Sequence, residues 1–328
     1  MKILVIRFSS IGDLTQALSV PALIKESYPQ AEVHFLTRSD MTSLLVNNPL
    51  IARLWSVDKS HGVSGLFKIA AELNKEKFDY VYDAHNNLRS LIIRSLVFSR
   101  KTIVRPMYRF KRFLLLNFKI NLFEKPFSGQ RDLLKPLEKM GISFHLPQTP
   151  LIFFDEKTLT KAQEILKAYQ LQKYLVIAPS AAYKLKRWPE SHWHELIKNN
   201  PHKKIVILAG PTDQFTAQYN HYSNVVNLTA QTGLLESAAV IDKAAAVISN
   251  DTGMLHFAEQ LGKKTIALMG PAPFGFPSRP STTILEKNLK CRPCSKHGQG
   301  PCVNKNYHEC MTSITPEEVQ THLTRIWS

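Results

Sequence analysis

Three short loops hold the residue types that handle phosphate and protons. In "SNDTGMLHF" (249–257) a strand ends and Asp251-Thr252-Gly253 opens a helix. Exposed N–H groups at a helix start bind phosphate oxygens, and the helix dipole adds to the attraction. Gly253 admits a close backbone approach, Thr252 offers a hydroxyl, and His256 lies one turn on. Taken alone, the tripeptide fits a helix cap with a packed histidine equally well. A second loop, "PSAAYKLKRWPESHW" (179–193), sets Ser180, Lys184, Lys186 and Arg187 between a strand and a helix opened by Pro189 and Glu190. Lysines placed there can neutralise a diphosphate, although any one of them alone reads more readily as a solvated cation. Two such loops in one half of the chain favour a nucleoside diphosphate site. The third loop, "SSIGD" (9–13), keeps the form of a nucleotide-binding βα turn but has a single glycine. It carries Asp13, which can take a proton or merely favour the first turn of a helix.

The surrounding elements explain why strand ends matter. Unbroken apolar runs at 2–8, 32–37, 51–57 and 78–85 alternate with helical sequence, and the alternation restarts with runs at 173–179, 203–210, 224–229, 245–250 and 263–270. This predicts two doubly wound α/β domains, each with a parallel sheet between helices. The expected divisions are 1–150, 151–314 and a capped terminal helix at 315–328 that returns to the first domain. Ligands of open α/β sheets bind beyond the carboxyl ends of the strands, so the chemistry is expected in a central cleft.

The chain of 328 residues has a net charge of +16, and its first 150 residues carry ten of those charges. An anionic partner is implied. No apolar run reaches the roughly 18–20 residues of a membrane span. The opening "MKILVIRFSS" is expected to be a core strand rather than a signal peptide, in a cytosolic chain with reduced thiols. Residues 100–125 hold eight Lys or Arg and one acid, interleaved with aromatics. That pattern fits an anionic membrane surface, nucleic acid, or a core helix with a solvated face. Arg105, Arg109, Lys111 and Arg112 are its candidate contacts. Asn87 and Arg89, in "DAHNNLRS" after a strand, are candidates for a second substrate. Cys291, Cys294, Cys302 and Cys310 are spaced C-x2-C-x7-C-x7-C. The final gap is wider than in most zinc knuckles, so reduced thiols in an ordered loop are favoured over a structural zinc.

Together, "RFSSIGDLTQALSVPALIKESYP", "KRWPESHW" and "NDTGMLHFAEQLGKKTIALMGP" resemble glycosyltransferase family 9, the ADP-heptose:lipopolysaccharide heptosyltransferases, over nearly the whole chain. The cysteine-bearing segment is similar to that of the heptosyltransferase II type. The resemblance implies a GT-B fold and inverting transfer of heptose from ADP-heptose to a hydroxyl of the lipopolysaccharide inner core, with no required cofactor or metal. It implies that Asp13 is the general base and that Lys186 steadies the departing diphosphate. Ser180, Thr252 and Gly253 would meet the phosphates, Asp251 the sugar, with His256 nearby, and Asp213 or Gln214 the adenosine ribose. It further implies a phosphorylated lipid A-core acceptor and a cytoplasmic enzyme peripheral to the inner membrane of a Gram-negative bacterium, with no nucleic-acid partner. No Asp-x-Asp occurs in the sequence, which argues against a metal-bridged diphosphate. The alternatives are a GT-B transferase or 2-epimerase using another nucleotide sugar, and a basic nucleic-acid- or lipid-binding protein without catalysis.

Overall fold

The computed structural model describes residues 1–125 and 127–327. In chain order the elements are β1 (Lys2–Ile6), α1 (Ile11–Ala17), α2 (Ser19–Ser27), β2 (Glu32–Arg38), β3 (Arg53–Val57), α3 (Gly62–Asn74), β4 (Phe78–Asp83), α4 (Leu88–Leu96) and β5 (Ser99–Val104). There follow α5 (Arg109–Phe118), α6 (Gly129–Leu134), α7 (Glu156–Ala168), β6 (Tyr174–Ala178), α8 (Glu190–Lys198), β7 (Lys204–Ile207), β8 (Val225–Asn227) and α9 (Leu234–Lys243). The chain closes with β9 (Ala246–Asn250), α10 (Gly253–Gln260), β10 (Thr265–Met269), β11 (Thr282–Glu286), α11 (Glu309–Thr312) and α12 (Pro316–Ile326).

Two compact units result: Met1–Tyr108 with Gly129–Phe153, and Arg109–Ser128 with Phe154–Ser328. The first holds a parallel sheet of order β3-β2-β1-β4-β5. Its core joins Leu4, Ile6, Leu36, Trp55, Leu73, Val81 and Ile93. The second holds a parallel sheet of order β11-β10-β9-β6-β7-β8. Its core packs Trp188 and Trp193 against Ile177, Ile207, Ile248 and Leu268. The continuous apolar β strands β6, β9 and β10 are buried along their whole length, as strands covered on both faces must be.

Strand order locates the crevices. In the first sheet the connections diverge between β1 and β4, and in the second between β6 and β9. Loops that leave such neighbouring strands in opposite directions open a ligand crevice. The loop carrying Asp13 follows β1. The loops carrying Lys186 and Asp251 follow β6 and β9.

Several expectations are corrected. The helical sequence after the first strand is divided into α1 and α2, because Pro21 has no N–H to bond back across the junction. The strands β5 and β11 were not anticipated. Both lie at sheet edges, and the outer face of β5 is polar. The terminal helix α12, expected to return to residues 1–150, belongs to the second unit. It packs on α8 and β10, placing Val319 and Leu323 in the core of the second unit. The segment Arg109–Ser128, expected in the first domain, belongs to the second unit. Phe123 and Phe127 form edge-on contacts with Phe274 there, at centroid distances of 5.4 and 5.1 Å.

Candidate active site

In the second unit, β9 ends at Asn250 and Thr252 caps α10, whose first residue is Gly253. The Thr252 backbone is extended and its hydroxyl makes no capping bond, so its oxygen is not tied to the helix it opens. Asp251 is 8% exposed. Its Oδ2 stands 2.5 Å from Lys186 Nζ, which comes from the short turn Lys184–Lys186 after β6. Gly275 passes close by with a φ of +89°, and a Cβ there would lie 3.0 Å from Asp251 Oδ1. Only glycine suits both that conformation and that approach. Ser180 is half-buried at the exit of β6.

Asn250, overlooked in the sequence, and Arg187 hold these loops. The buried Asn250 accepts a bond from the Trp188 N–H at 3.0 Å and donates to the Pro179 carbonyl at 2.8 Å. One side chain thereby ties both ends of the loop after β6 to the end of β9. Arg187 donates to the Ala181 carbonyl at 3.0 Å and to Asp213 Oδ1 at 3.2 Å, and its guanidinium lies 4.7 Å over the Phe215 ring.

Other predicted residues take different places. Asp213 is buried, and its second oxygen closes a turn by accepting the Gly210 N–H at 3.0 Å. Its carboxylate therefore serves Arg187 and that turn. Gln214 is exposed and donates to the Pro211 carbonyl at 2.9 Å. His256 is buried at 4% exposure, with Nδ1 3.6 Å from Glu259 Oε2. It packs inside the unit rather than lying open at the start of α10.

In the first unit, Asp13 sits in the first turn of α1 with its side chain 44% exposed. Arg7 Nη2 meets its Oδ2 at 2.8 Å, and the Ser10 hydroxyl donates to the same oxygen at 3.0 Å. Arg7 is buried and is itself anchored by donating to the Ala84 carbonyl at 2.8 Å. Burial lowers the Arg7 pKa, Asp13 opposes that, and Arg105 adds to it. The carboxylate is thus fixed in direction by a cation that the core holds still. Next to it His85, from the loop after β4, accepts the Phe8 N–H at Nδ1, 3.2 Å away. Burial, then the Arg7 charge, pushes His85 down to about 4. At neutral pH the ring is uncharged with its proton on Nε2. The fully buried Asp83 shapes that loop: its Oδ1 accepts the N–H groups of His85 and Asn86, and its Oδ2 accepts Arg94 at 2.7 Å.

Phe8, Arg38, Val57, Asp58, Lys59 and Arg89 share the walls of a pocket at the carboxyl end of β1–β3. Arg89 was expected at such a place, whereas Arg38 and Lys59 were not. Asn87 caps α4, its Oδ1 accepting the Ser90 N–H at 2.9 Å. Arg105 does not join the exposed basic surface. It is buried, 3.7 Å from Asp132. Arg109 is exposed and Lys111 half-buried. The Arg112 guanidinium lies 4.4 Å over the Phe274 ring. On α5 and the residues after it, Phe110, Phe113, Phe118, Ile120 and Leu122 are exposed. None of the described helices is long and apolar enough to cross a membrane.

The chain forms two parallel α/β units, each with charged groups at its switch point, and known proteins share the fold. The family model for glycosyltransferase family 9 (heptosyltransferase) matches residues 66–308. The chain is 26% identical to lipooligosaccharide heptosyltransferase 2 of Haemophilus ducreyi, covering 99% of each chain. It is 25% identical to lipopolysaccharide heptosyltransferase 2 of Escherichia coli K12, covering 99% of this chain and 98% of that one. Among solved structures, a family 9 glycosyltransferase from Veillonella parvula superposes with a TM-score of 0.81 at 20% identity, covering 99% of this chain and 97% of that one. The E. coli ADP-heptose heptosyltransferase II superposes with a TM-score of 0.72 at 20% identity, covering 100% and 98%. The fold is accordingly GT-B, and the chain belongs to glycosyltransferase family 9, the heptosyltransferases.

Proposed function

We propose that this glycosyltransferase moves a heptose from ADP-heptose to a hydroxyl of the lipopolysaccharide inner core, inverting the anomeric centre in one displacement. The observation that carries the reading is the Lys186–Asp251 pair beside the capless start of α10. A departing ADP gathers negative charge on its diphosphate. Lys186 and the first N–H groups of α10 supply positive charge there, and fixed donors of this kind stabilise such charge strongly. The Thr252 hydroxyl and the backbone at the half-buried Gly253 complete the cradle, with Ser180 on the loop opposite. Asp251 is close enough to Lys186 to orient it and takes the hydroxyls of the sugar. Since the chain has no Asp-x-Asp, this cradle stands where many glycosyltransferases use a divalent ion.

Asp13 is the general base. A carboxylate that Arg7 and Ser10 hold through one oxygen has a fixed direction, and it accepts the acceptor proton as attack proceeds. Neutral His85 keeps its proton on Nε2, since Nδ1 accepts the Phe8 N–H. Arg38, Lys59 and Arg89 line, together with Asp58, a pocket in the same unit, and their three cations suit the phosphates and carboxylates of a core acceptor. The exposed phenylalanines of α5, set among Arg109 and Lys111, suit the anionic surface in which a lipid-linked acceptor sits. The enzyme then works in the cytoplasm at the inner membrane.

The test is to incubate the chain with ADP-heptose and truncated core acceptors and to weigh the products. A gain of one heptose on the acceptor supports the reading. Consumption of a different nucleotide sugar with none of ADP-heptose contradicts it.

A further inference from the structure

Two polar side chains at the far end of α10, Glu259 and Gln260, have no part in the chemistry above, yet both are fully buried. A carboxyl group is a costly way to fill a core, and a leucine would fill it without that cost. Glu259 Oε1 accepts the backbone N–H groups of Ser278 and of Arg279, the latter at 2.8 Å. Among the described residues its Oε2 takes no hydrogen bond, and it lies 3.6 Å from His256 Nδ1. Gln260 Oε1 accepts the Arg279 guanidinium, from Nη2 at 3.0 Å and from Nε at 3.3 Å. Two neighbouring residues thus hook one short stretch, 278–279, of the loop that leaves β10.

That loop runs from 270 to 281, between β10 and β11. Phe276 anchors it in a cluster with Leu255 of α10 and with Ala267 and Met269 of β10. Phe274 rests on Phe123 and Phe127, with the Arg112 guanidinium over its ring. The residue between these two anchors is Gly275, whose φ of +89° and missing Cβ let its backbone press on Asp251 Oδ1. Helix α10 therefore joins both sides of one place. Its cap, Thr252, follows Asp251 directly, and its last turn holds the loop that covers Asp251.

We propose that Glu259 and Gln260 are positioning residues for the sugar of the donor. By hooking residues 278–279 they fix the loop after β10, and so set the gap between Gly275 and Asp251 that the sugar hydroxyls must enter. The step to the sugar rests on Asp251 being its contact, as proposed above, whereas the hook itself does not. The diphosphate is held by Lys186 and the first turn of α10. A slack loop therefore weakens binding of the ADP-sugar and leaves binding of ADP nearly as it was.

Glu259→Leu fills the same space without an acceptor, and Glu259→Gln restores one. Calorimetric titration of each full chain with ADP-heptose and with ADP reads the split. In Glu259→Leu the Kd for ADP-heptose should rise by roughly tenfold, the loss of about one hydrogen bond, while that for ADP moves less than about twofold. Glu259→Gln should recover most of the loss. Hydrogen exchange over residues 273–279 should quicken in Glu259→Leu and slow again in Glu259→Gln. If Glu259→Leu does not fold, Gln260→Ala, which removes an acceptor of the Arg279 guanidinium, carries the same predictions at smaller size. Equal loosening of both ligands, or of neither, in a variant that melts cooperatively overturns the proposal. Wild-type protein that binds ADP but not ADP-heptose would instead contradict the donor reading, and unchanged exchange in the variants would then overturn the hook.

Discussion

Lys186 Nζ stands 2.5 Å from Asp251 Oδ2, and the pair joins the loops of two neighbouring strands, β6 and β9, at the point where their connections diverge. Their side chains are only 14% and 8% exposed. A buried charge left without its partner is costly, so neither residue is replaceable without consequence. Lys186→Ala should lower turnover by roughly 10²–10³-fold, the loss typical of a missing charge-stabilising donor. Lys186→Arg should recover part of it. Steady-state kinetics with ADP-heptose checks both, and wild-type turnover in Lys186→Ala would remove Lys186 from the reaction.

Asn250 makes two buried bonds, one accepted and one donated. Asn250→Ala should cost about 1–3 kcal/mol of stability by leaving the Trp188 N–H and the Pro179 carbonyl unpaired. It should also raise KM for the donor more than it lowers kcat, because the loop that carries Lys186 loses its anchor. Asn250→Asp should keep the first bond and lose the second. Chemical denaturation alongside donor titration measures the two effects, and an unchanged KM would show that the clamp serves stability alone.

His85 sets a pH dependence. Its folded pKa of about 4 lies below the unfolded value near 6.5. Between those values the unfolded chain binds more protons, so stability rises with pH and is lost as the pH falls from about 6.5 to about 4. The loss from this group is on the order of 2–3 kcal/mol. His85→Gln should flatten that limb of the stability curve. Urea titrations across the window test it, and an unchanged slope in the variant would assign the loss elsewhere.

The face of α5 and its following turn leaves Phe110, Phe113 and Phe118 exposed. Burying each in a bilayer interface gains about 1.5–3 kcal/mol at most. Replacing all three by serine should cut binding to vesicles of anionic phospholipid by more than about tenfold, with no loss of fold, since none is in the core. Cosedimentation reads the change. Equal binding by the variant would leave the aromatic face without this role.

The phosphate-type loops were legible because their chemistry is local. Asp251, Thr252 and Gly253 follow one another at a strand end, and Lys186 lies just before a helix opening. Arg7 and Asn250 were not legible, because their partners are brought in by the sheet. Arg7 bonds a carbonyl 77 residues away, and Asn250 reaches residues 62 and 71 away. The edge strands β5 and β11 were missed because a half-exposed strand lacks the unbroken apolar run of a central one. Asp213 or Gln214 was expected at the ribose from its place in a strand–loop, whereas the Arg187 and Gly210 N–H partners of Asp213 come from the fold and could not be read there. The segment Arg109–Ser128 was assigned to the wrong half since charge pattern does not reveal which core its phenylalanines join.

The most direct test of the account is the Asp13→Asn variant, assayed by product mass with ADP-heptose and a truncated core acceptor. The substitution keeps the size of the side chain and removes its capacity to accept a proton. The account predicts that turnover falls by about 10²–10⁴-fold while ADP-heptose still stabilises the fold against heat. Turnover within a few fold of wild type would contradict it and end the assignment of Asp13 as the base.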